Sequence, residues 1–151
     1  MSNVSPEQFI KLLEHQQKEF KKLNKQVLEV GLVKGNNYSD GSSVIEVGYK
    51  HEFGIGVSRR SWLREPLLAS KDLIKKYQSS VVNRISEGGK SQDALEIMGI
   101  QITNFLKGNF RDGFGGKWKA NSSNTVTLKG GKSNPLVDSG ILKNSITYNV
   151  E

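Results

Sequence analysis

Lys50–Leu68, KHEFGIGVSRRSWLREPLL, is the stretch on which the fold turns. It opens as the end of a periodic segment, breaks at Gly54-Ile55-Gly56, passes through the Arg59-Arg60 pair, sets down Trp62 and restarts as a helix at Pro66. Glycine takes the positive φ of a sharp turn without steric cost, so the chain can reverse here and then extend. Trp62 and Leu63 stand among Arg59, Arg60 and Arg64. An apolar anchor ringed by guanidinium groups is the residue mix of a protein–protein hot spot. The plainer alternative is that Trp62 and Leu63 cap a core while the arginines lie in water.

Working back from this stretch, Ser43–Phe53 is read as a short helix. Val44, Ile45 and Val47 have strand propensity. Against that, Ser43 and Glu46 are spaced as a capping box, Ile45, Tyr49 and Phe53 recur every four residues, and Gly54 suits the position just past a helix end. His51-Glu52 lacks the second histidine of a zinc-binding H-E-x-x-H helix, since position 55 is Ile. Hydrogen bonding to nearby backbone at the helix end is the expected role of the pair. Further back, the β-branched run Val27–Val33 reads as a strand, followed by loop chemistry at Gly35–Asn37 and Ser39–Gly41. Residues 1–4 are expected to fray. Ser5-Pro6-Glu7-Gln8 starts a helix that carries Phe9, Leu12, Leu13, Phe20 and Leu23 and runs to about Lys25. His15 reads as a surface residue of that helix.

Working forward, Pro66 to about Ser86 is expected as one long helix with Leu67, Leu73, Ile74, Tyr77, Val81 and Ile85 on its apolar face, stopped by Gly88-Gly89. Ser91 is placed as the cap of the next helix, buried through Leu95, Met98, Ile102, Phe105 and Leu106. Gly99 within it costs about 1 kcal/mol relative to Ala, which points to another backbone packed close by. Two such helices joined by a short turn should lie antiparallel. Asn109–Gly116, NFRDGFGG, matches neither the phosphate-loop nor the dinucleotide pattern. Its aromatics, with Trp118, are expected to pin a loop to the body. Lys117–Asn134 is polar and is expected to be a mobile loop, with Lys129 and Lys132 at its most exposed point. Pro135–Leu142 returns to order, with Asp138 or Ser139 capping a short turn that contains Leu142. Ile146–Val150 alternates as a strand whose natural partner is Val27–Val33, and an edge of that sheet could accept a strand from another subunit.

At 151 residues the chain is expected to be one domain, and 35% hydrophobic content is lean enough to suit a subunit that completes its burial against neighbours. The absence of cysteine removes disulfides and thiolate metal sites. No run approaches the roughly 18 apolar residues of a membrane span, and no secretory signal is read at the start. The net charge of +7 favours phosphate polymers or acidic partners, but the basic residues are spread along the chain rather than gathered in one patch.

The ordered set HEFG, R-x-W-L-R-x-P-L and PLVDSGILKNSITYNV, over about residues 27–150, resembles the neck, or head–tail joining, proteins of tailed bacteriophages, also called tail-completion proteins. Trp62 stands where that family commonly has Phe, and Ser58 where Pro-Ala often stands. The resemblance implies a ring of six copies in the virion neck, assembled in the host cytoplasm. Its partners would be connector or adaptor proteins on one side and tail-tube or tail-terminator proteins on the other, with genomic DNA passing through. The fold class expected is α+β, several amphipathic helices packed on a small, mainly antiparallel sheet. Neither catalysis nor a cofactor nor a metal is expected, because no convergent set of acid, base, nucleophile or ligands stands out. The interface candidates are Arg59, Arg60, Trp62, Leu63, Arg64, Lys129, Lys132, Asp138 and Leu142. A basic, non-specific DNA-binding protein is the alternative.

Overall fold

The computed structural model describes residues 4–137 and 139–151. In chain order the elements are α1 (Pro6–Leu23), β1 (Leu28–Gly31), α2 (Val44–Phe53), α3 (Arg64–Ala69), α4 (Lys71–Ser86), α5 (Ser91–Gly108), α6 (Ser123–Leu128), α7 (Ile141–Ser145) and β2 (Thr147–Val150). The class is α+β, as expected: helices packed on a small two-stranded antiparallel sheet.

The sheet joins β1, which follows α1, to β2, the last element of the chain. Leu28 pairs with Val150 and Gly31 with Thr147, and Val27 and Glu151 extend the ladder by exchanging backbone hydrogen bonds of 2.8 and 3.0 Å. α5 lies across the sheet and is the central helix, packing on β1, β2, α4 and α1. Gly99 is what lets it approach. A Cβ there would stand 2.5 Å from the Tyr148 ring and 3.1 Å from Leu28. The close approach at Gly99 is the helix–sheet contact, made by side chains of β2 and β1 rather than by the other backbone that was expected. Leu95, Met98, Ile102 and Leu106 are buried on α5 as the periodicity predicts, and Phe110 extends the same core.

Two helix boundaries differ from the sequence reading. Ser91 does not cap α5. Its N–H and hydroxyl both donate to Glu19 Oε2 of α1, at 2.9 and 3.1 Å, so a carboxylate from a distant helix supplies the cap. Glu19 is 3% exposed, and its carboxyl is lowered to about 2 by the hydrogen bond from Lys22 first and by those from Ser91. This arrangement also places negative charge at the positive end of the α5 dipole. The long helix expected from Pro66 is two helices. α3 starts at Arg64 and gives way at Ser70, whose φ of −117° and ψ of 35° leave the helical region before α4 begins. Pro66 fits because it lies in the first turn of α3, where an N–H would lack an intrahelical partner anyway.

The segment 117–134 is more built than a bare loop. It holds the short helix α6, capped by Ser122, and Asn121 donates to the Ser133 and Asn134 carbonyls at 3.0 and 3.2 Å. None of α6 is buried. The expected fraying of residues 1–4 falls largely on residues 1–3, and the expected capping role of Asp138 falls on that residue; both lie outside the described residues.

Candidate assembly surface

α2 forms where the sequence reading puts it. The Ser43 hydroxyl accepts from Glu46 N at its start, Glu46 and Lys50 pair at 2.6 Å one turn apart, and Gly54 ends it in the left-handed region at φ 75°. A side chain at Gly54 would also bring its Cβ within 2.8 Å of Arg59 Cβ. The face that carries the four-residue spacing is the outer one. Ile45, Tyr49 and Phe53 point outward, 45%, 54% and 43% exposed, while Val44, Gly48 and Glu52 face the body.

The inward face is fixed by one carboxylate. Glu52 is 4% exposed, and its oxygens accept four hydrogen bonds from the returning chain. Oε1 takes the Ser61 hydroxyl at 2.7 Å and Arg64 N at 3.2 Å. Oε2 takes Trp62 N at 2.9 Å and Leu63 N at 3.0 Å. The amides that Glu52 gathers are those of the α3 N-terminus and the residues before it, so it acts as a remote helix cap. The Trp62 indole N–H then donates back to the Gly48 carbonyl at 2.8 Å, and the Trp118 indole N–H to the Ser61 carbonyl at 2.9 Å. A Cβ at Gly48 would meet Leu32 at 2.7 Å, Leu142 at 3.2 Å and Trp62 at 3.3 Å, so only a glycine lets these side chains close over the helix.

These contacts redistribute the predicted interface residues. Trp62 (3% exposed) and Leu142 (2%) belong to the core, so the hot-spot anchor expected at Trp62 is corrected to a core residue. The indole finds its hydrogen-bond partner inside the molecule, which removes the reason to hold it at a surface. Arg60 is likewise buried. Its Nε donates to the Lys119 carbonyl at 2.7 Å, and Nη2 to the Ala120 carbonyl and Asn121 Oδ1, each at 3.3 Å. Arg60 thereby ties segment 119–121 to the hub, and burial pushes its pKa below the ordinary value. Leu63 is half-buried against the core. Arg59 and Arg64 do reach the surface. Arg59 pairs with Glu65 at 2.7 Å, and the Arg64 guanidinium lies 5.2 Å over the Phe53 ring. Lys129 is half-buried and donates to the Val137 carbonyl at 3.0 Å, whereas Lys132 is exposed just beyond α6. Asp138 lies outside the described residues.

One exposed apolar surface is thus the outer face of α2 and the turn after it. The Tyr49 and Phe53 rings pack at a tilt of 50° with centroids 4.8 Å apart, and Arg64 covers Phe53. Ile55 and Val57 follow at 48% and 40% exposure. This is the mix the sequence reading sought around Trp62, an aromatic centre with arginine at its edge, displaced by one helix face. No family model, curated protein or solved structure matches the chain.

Beneath the patch, on the other side of α2, His51 lines a cleft of about 250 Å³ with Asp40, Lys129 and Ser139. Burial, and then the Arg60 and Lys129 charges, lower the His51 pKa, against a backbone hydrogen bond at Ser58 that raises it. Its Nδ1 is buried without a partner among the described residues. Among those residues no group of three His, Asp or Glu side chains is placed to hold a metal ion, and no helix is long and apolar enough to cross a membrane.

Proposed function

We propose that this protein is a structural assembly subunit of a tailed bacteriophage, a ring-forming neck or tail-completion protein that joins head to tail. Its work is interface formation rather than turnover, and its place is the head–tail junction of the virion. The observation that carries the reading is the outer face of α2. An apolar stripe of Ile45, Tyr49 and Phe53, with Arg64 over Phe53, is held from behind by Glu52 and runs into the HEFG segment of the resemblance to that family. A rigid, exposed aromatic stripe with arginine at its edge is what a permanent protein partner covers.

Tyr49→Ser with Phe53→Ser removes the stripe and leaves the inward face intact. Circular dichroism should show a folded subunit, and electron microscopy of heads mixed with tails of the parent phage should show attachment with the parent protein and little with the variant. Unchanged attachment would refute the assignment of this face. Tight DNA binding that survives about 200 mM salt would instead favour a nucleic-acid role, because non-specific phosphate contacts are lost at such salt.

A further inference from the structure

Over the first two turns of α1 the described residue that reaches its own subunit is Leu12, half-buried beside Gly88. Residues 4–11 are all exposed, with Phe9 at 54% and Ile10 at 55%, and Leu13 beyond them is 47% exposed. The helix is nonetheless strongly initiated. Ser5 and Gln8 complete a reciprocal capping box, with hydrogen bonds of 2.9 and 3.2 Å and Pro6 in the first turn. Firmer packing begins further along, where His15 and Gln16 bond the Gly89 and Ser86 carbonyls and Glu19 caps α5. A short run of helix with little tertiary packing is marginal in water, so a capped arm bearing Phe9, Ile10 and Leu13 suits a docked state.

At the far end of the same helix the subunit has an open apolar groove of about 790 Å³, running between β1, α3–α4 and α5. Leu68 and Val82 stand at its exposed side, at 57% and 46% exposure, and Met98 and Ile102 form part of its floor. Its charged lining residues are Lys71 and Lys75, one turn apart on α4. Leu23 of α1 also lines it. Phe9 is about four-fifths of the helix away from Leu23, about 21 Å at 1.5 Å per residue, so a straight α1 cannot lay its own arm in its own groove.

We infer that the α1 arm of one copy docks into the groove of the next. An amphipathic helix laid in an apolar groove is a recurrent recognition mode, with anchors at spacings like that of Phe9 and Leu13. Charge supports the pairing. Glu7 and Glu14 lie two turns apart on one side of the arm with Lys11 between them, a net charge of one negative, and the groove offers Lys71 and Lys75. Donor and acceptor surfaces differ, so the contact is head-to-tail and builds a ring or a filament rather than a closed dimer. The inference rests on the ring reading above and deepens it by naming the contact between copies.

Two blocked variants test it. Ile10→Asp disables the arm, and Leu68→Glu disables the groove; both sites are exposed, so each subunit should melt like the parent. By sedimentation velocity at about 100 µM, far above a micromolar Kd, the parent should form assemblies larger than dimers. Each variant alone should associate at least about tenfold more weakly. An equal mixture should give heterodimers and nothing larger, since one working arm and one working groove remain. Reversing Glu7 and Glu14 to Lys should weaken assembly several-fold, and adding Lys71→Glu with Lys75→Glu in the same chain should restore it. A monomeric parent, variants that assemble like the parent, or a mixture without heterodimers would overturn the inference. So would loss of tail attachment in Leu68→Glu with self-association unchanged, which would put a different partner in the groove. The neck reading stands or falls separately, on tail attachment.

Discussion

Replacing Glu52 by Gln is the sharpest test of how the hub is held. The two side chains have the same length and nearly the same volume, so packing around them is preserved. The donor arithmetic changes. Each carboxylate oxygen accepts two hydrogen bonds, Ser61 and Arg64 on Oε1, Trp62 and Leu63 on Oε2. An amide offers one oxygen, and either orientation turns its NH2 toward two donors in a site that is 4% exposed. Two hydrogen bonds to a charged acceptor are lost, each worth about 1.5–3 kcal/mol net, so the variant should lose about 3 kcal/mol or more. That is a large share of the roughly 5–15 kcal/mol that stabilises a domain, and it corresponds to a fall in Tm of about 6–12 °C for a chain of this size. The assay is thermal and urea unfolding followed by far-UV circular dichroism, with Trp62 and Trp118 fluorescence reporting on the hub. Glu46→Gln is the control, because Glu46 is an exposed partner of Lys50 and should change stability by less than about 1 kcal/mol. If Glu52→Gln unfolds within about 1 kcal/mol of the parent, the carboxylate does not organise the returning chain and the account of the hub fails.

Trp62→Ala should cost about 3–5 kcal/mol, as expected for a large aromatic removed from a core, and folding and tail attachment should be lost together; a well-folded variant defective only in attachment would return Trp62 to the surface. His51 has its pKa lowered from the ordinary 6.5, so the folded state resists protonation that the unfolded chain accepts. Its contribution is fully present above pH 6.5 and drains away as the pH falls below that value, and Tm measured from about pH 7.5 to about 5 should fall less steeply in His51→Gln. Glu19, lowered from 4.5 to about 2, acts in a separate window: its contribution is present above pH 4.5 and lost toward pH 2. Deleting Ser145–Glu151 removes β2 and the buried Ile146, and should destabilise the subunit and block self-association, read by melting and light scattering; a truncated protein that melts and assembles like the parent would refute the role given to the sheet.

Much of the architecture was legible because it rests on local signals. The Ser5 capping box, the Ser43 start and Gly54 stop of α2, the α4–α5 hairpin and the pairing of the two terminal strands all follow from caps, periodicity and β-branched runs. What was not legible depends on partners far away in sequence. Ser91 looks like a cap because serine usually is one, but Glu19, 72 residues earlier, takes that role. Trp62 among arginines looks like a surface anchor until the Gly48 carbonyl is found within reach of its indole. For α2 the sequence offered two stripes at the same spacing, Ile45-Tyr49-Phe53 and Val44-Gly48-Glu52. Hydrophobicity favours the first. Gly48 was the signal for the second, by the reasoning already applied to Gly99: a glycine inside a helix marks the face that another part of the chain must approach.

The two faces of α2 belong to one device. A carboxylate is costly to bury unless its oxygens are satisfied, and here the donors that satisfy Glu52 all come from the end of the loop between α2 and α3 and the first residue of α3. The loop is therefore clamped to the inner face, and Trp62 and Arg60 extend the clamp to α2 itself and to segment 119–121. Since the core is already complete with Val44, Trp62 and Leu142, Ile45, Tyr49 and Phe53 have nowhere to turn inward. Their exposure is imposed by the packing behind them rather than by looseness. A surface fixed in this way loses little conformational freedom when a partner covers it, and that preorganisation is what raises affinity in a permanent interface. If the proposed role holds, Glu52→Gln, although the residue is itself buried, should weaken tail attachment even at temperatures where the subunit remains folded. Tyr49→Ser with Phe53→Ser should weaken attachment without lowering Tm, and that difference separates the surface from its support.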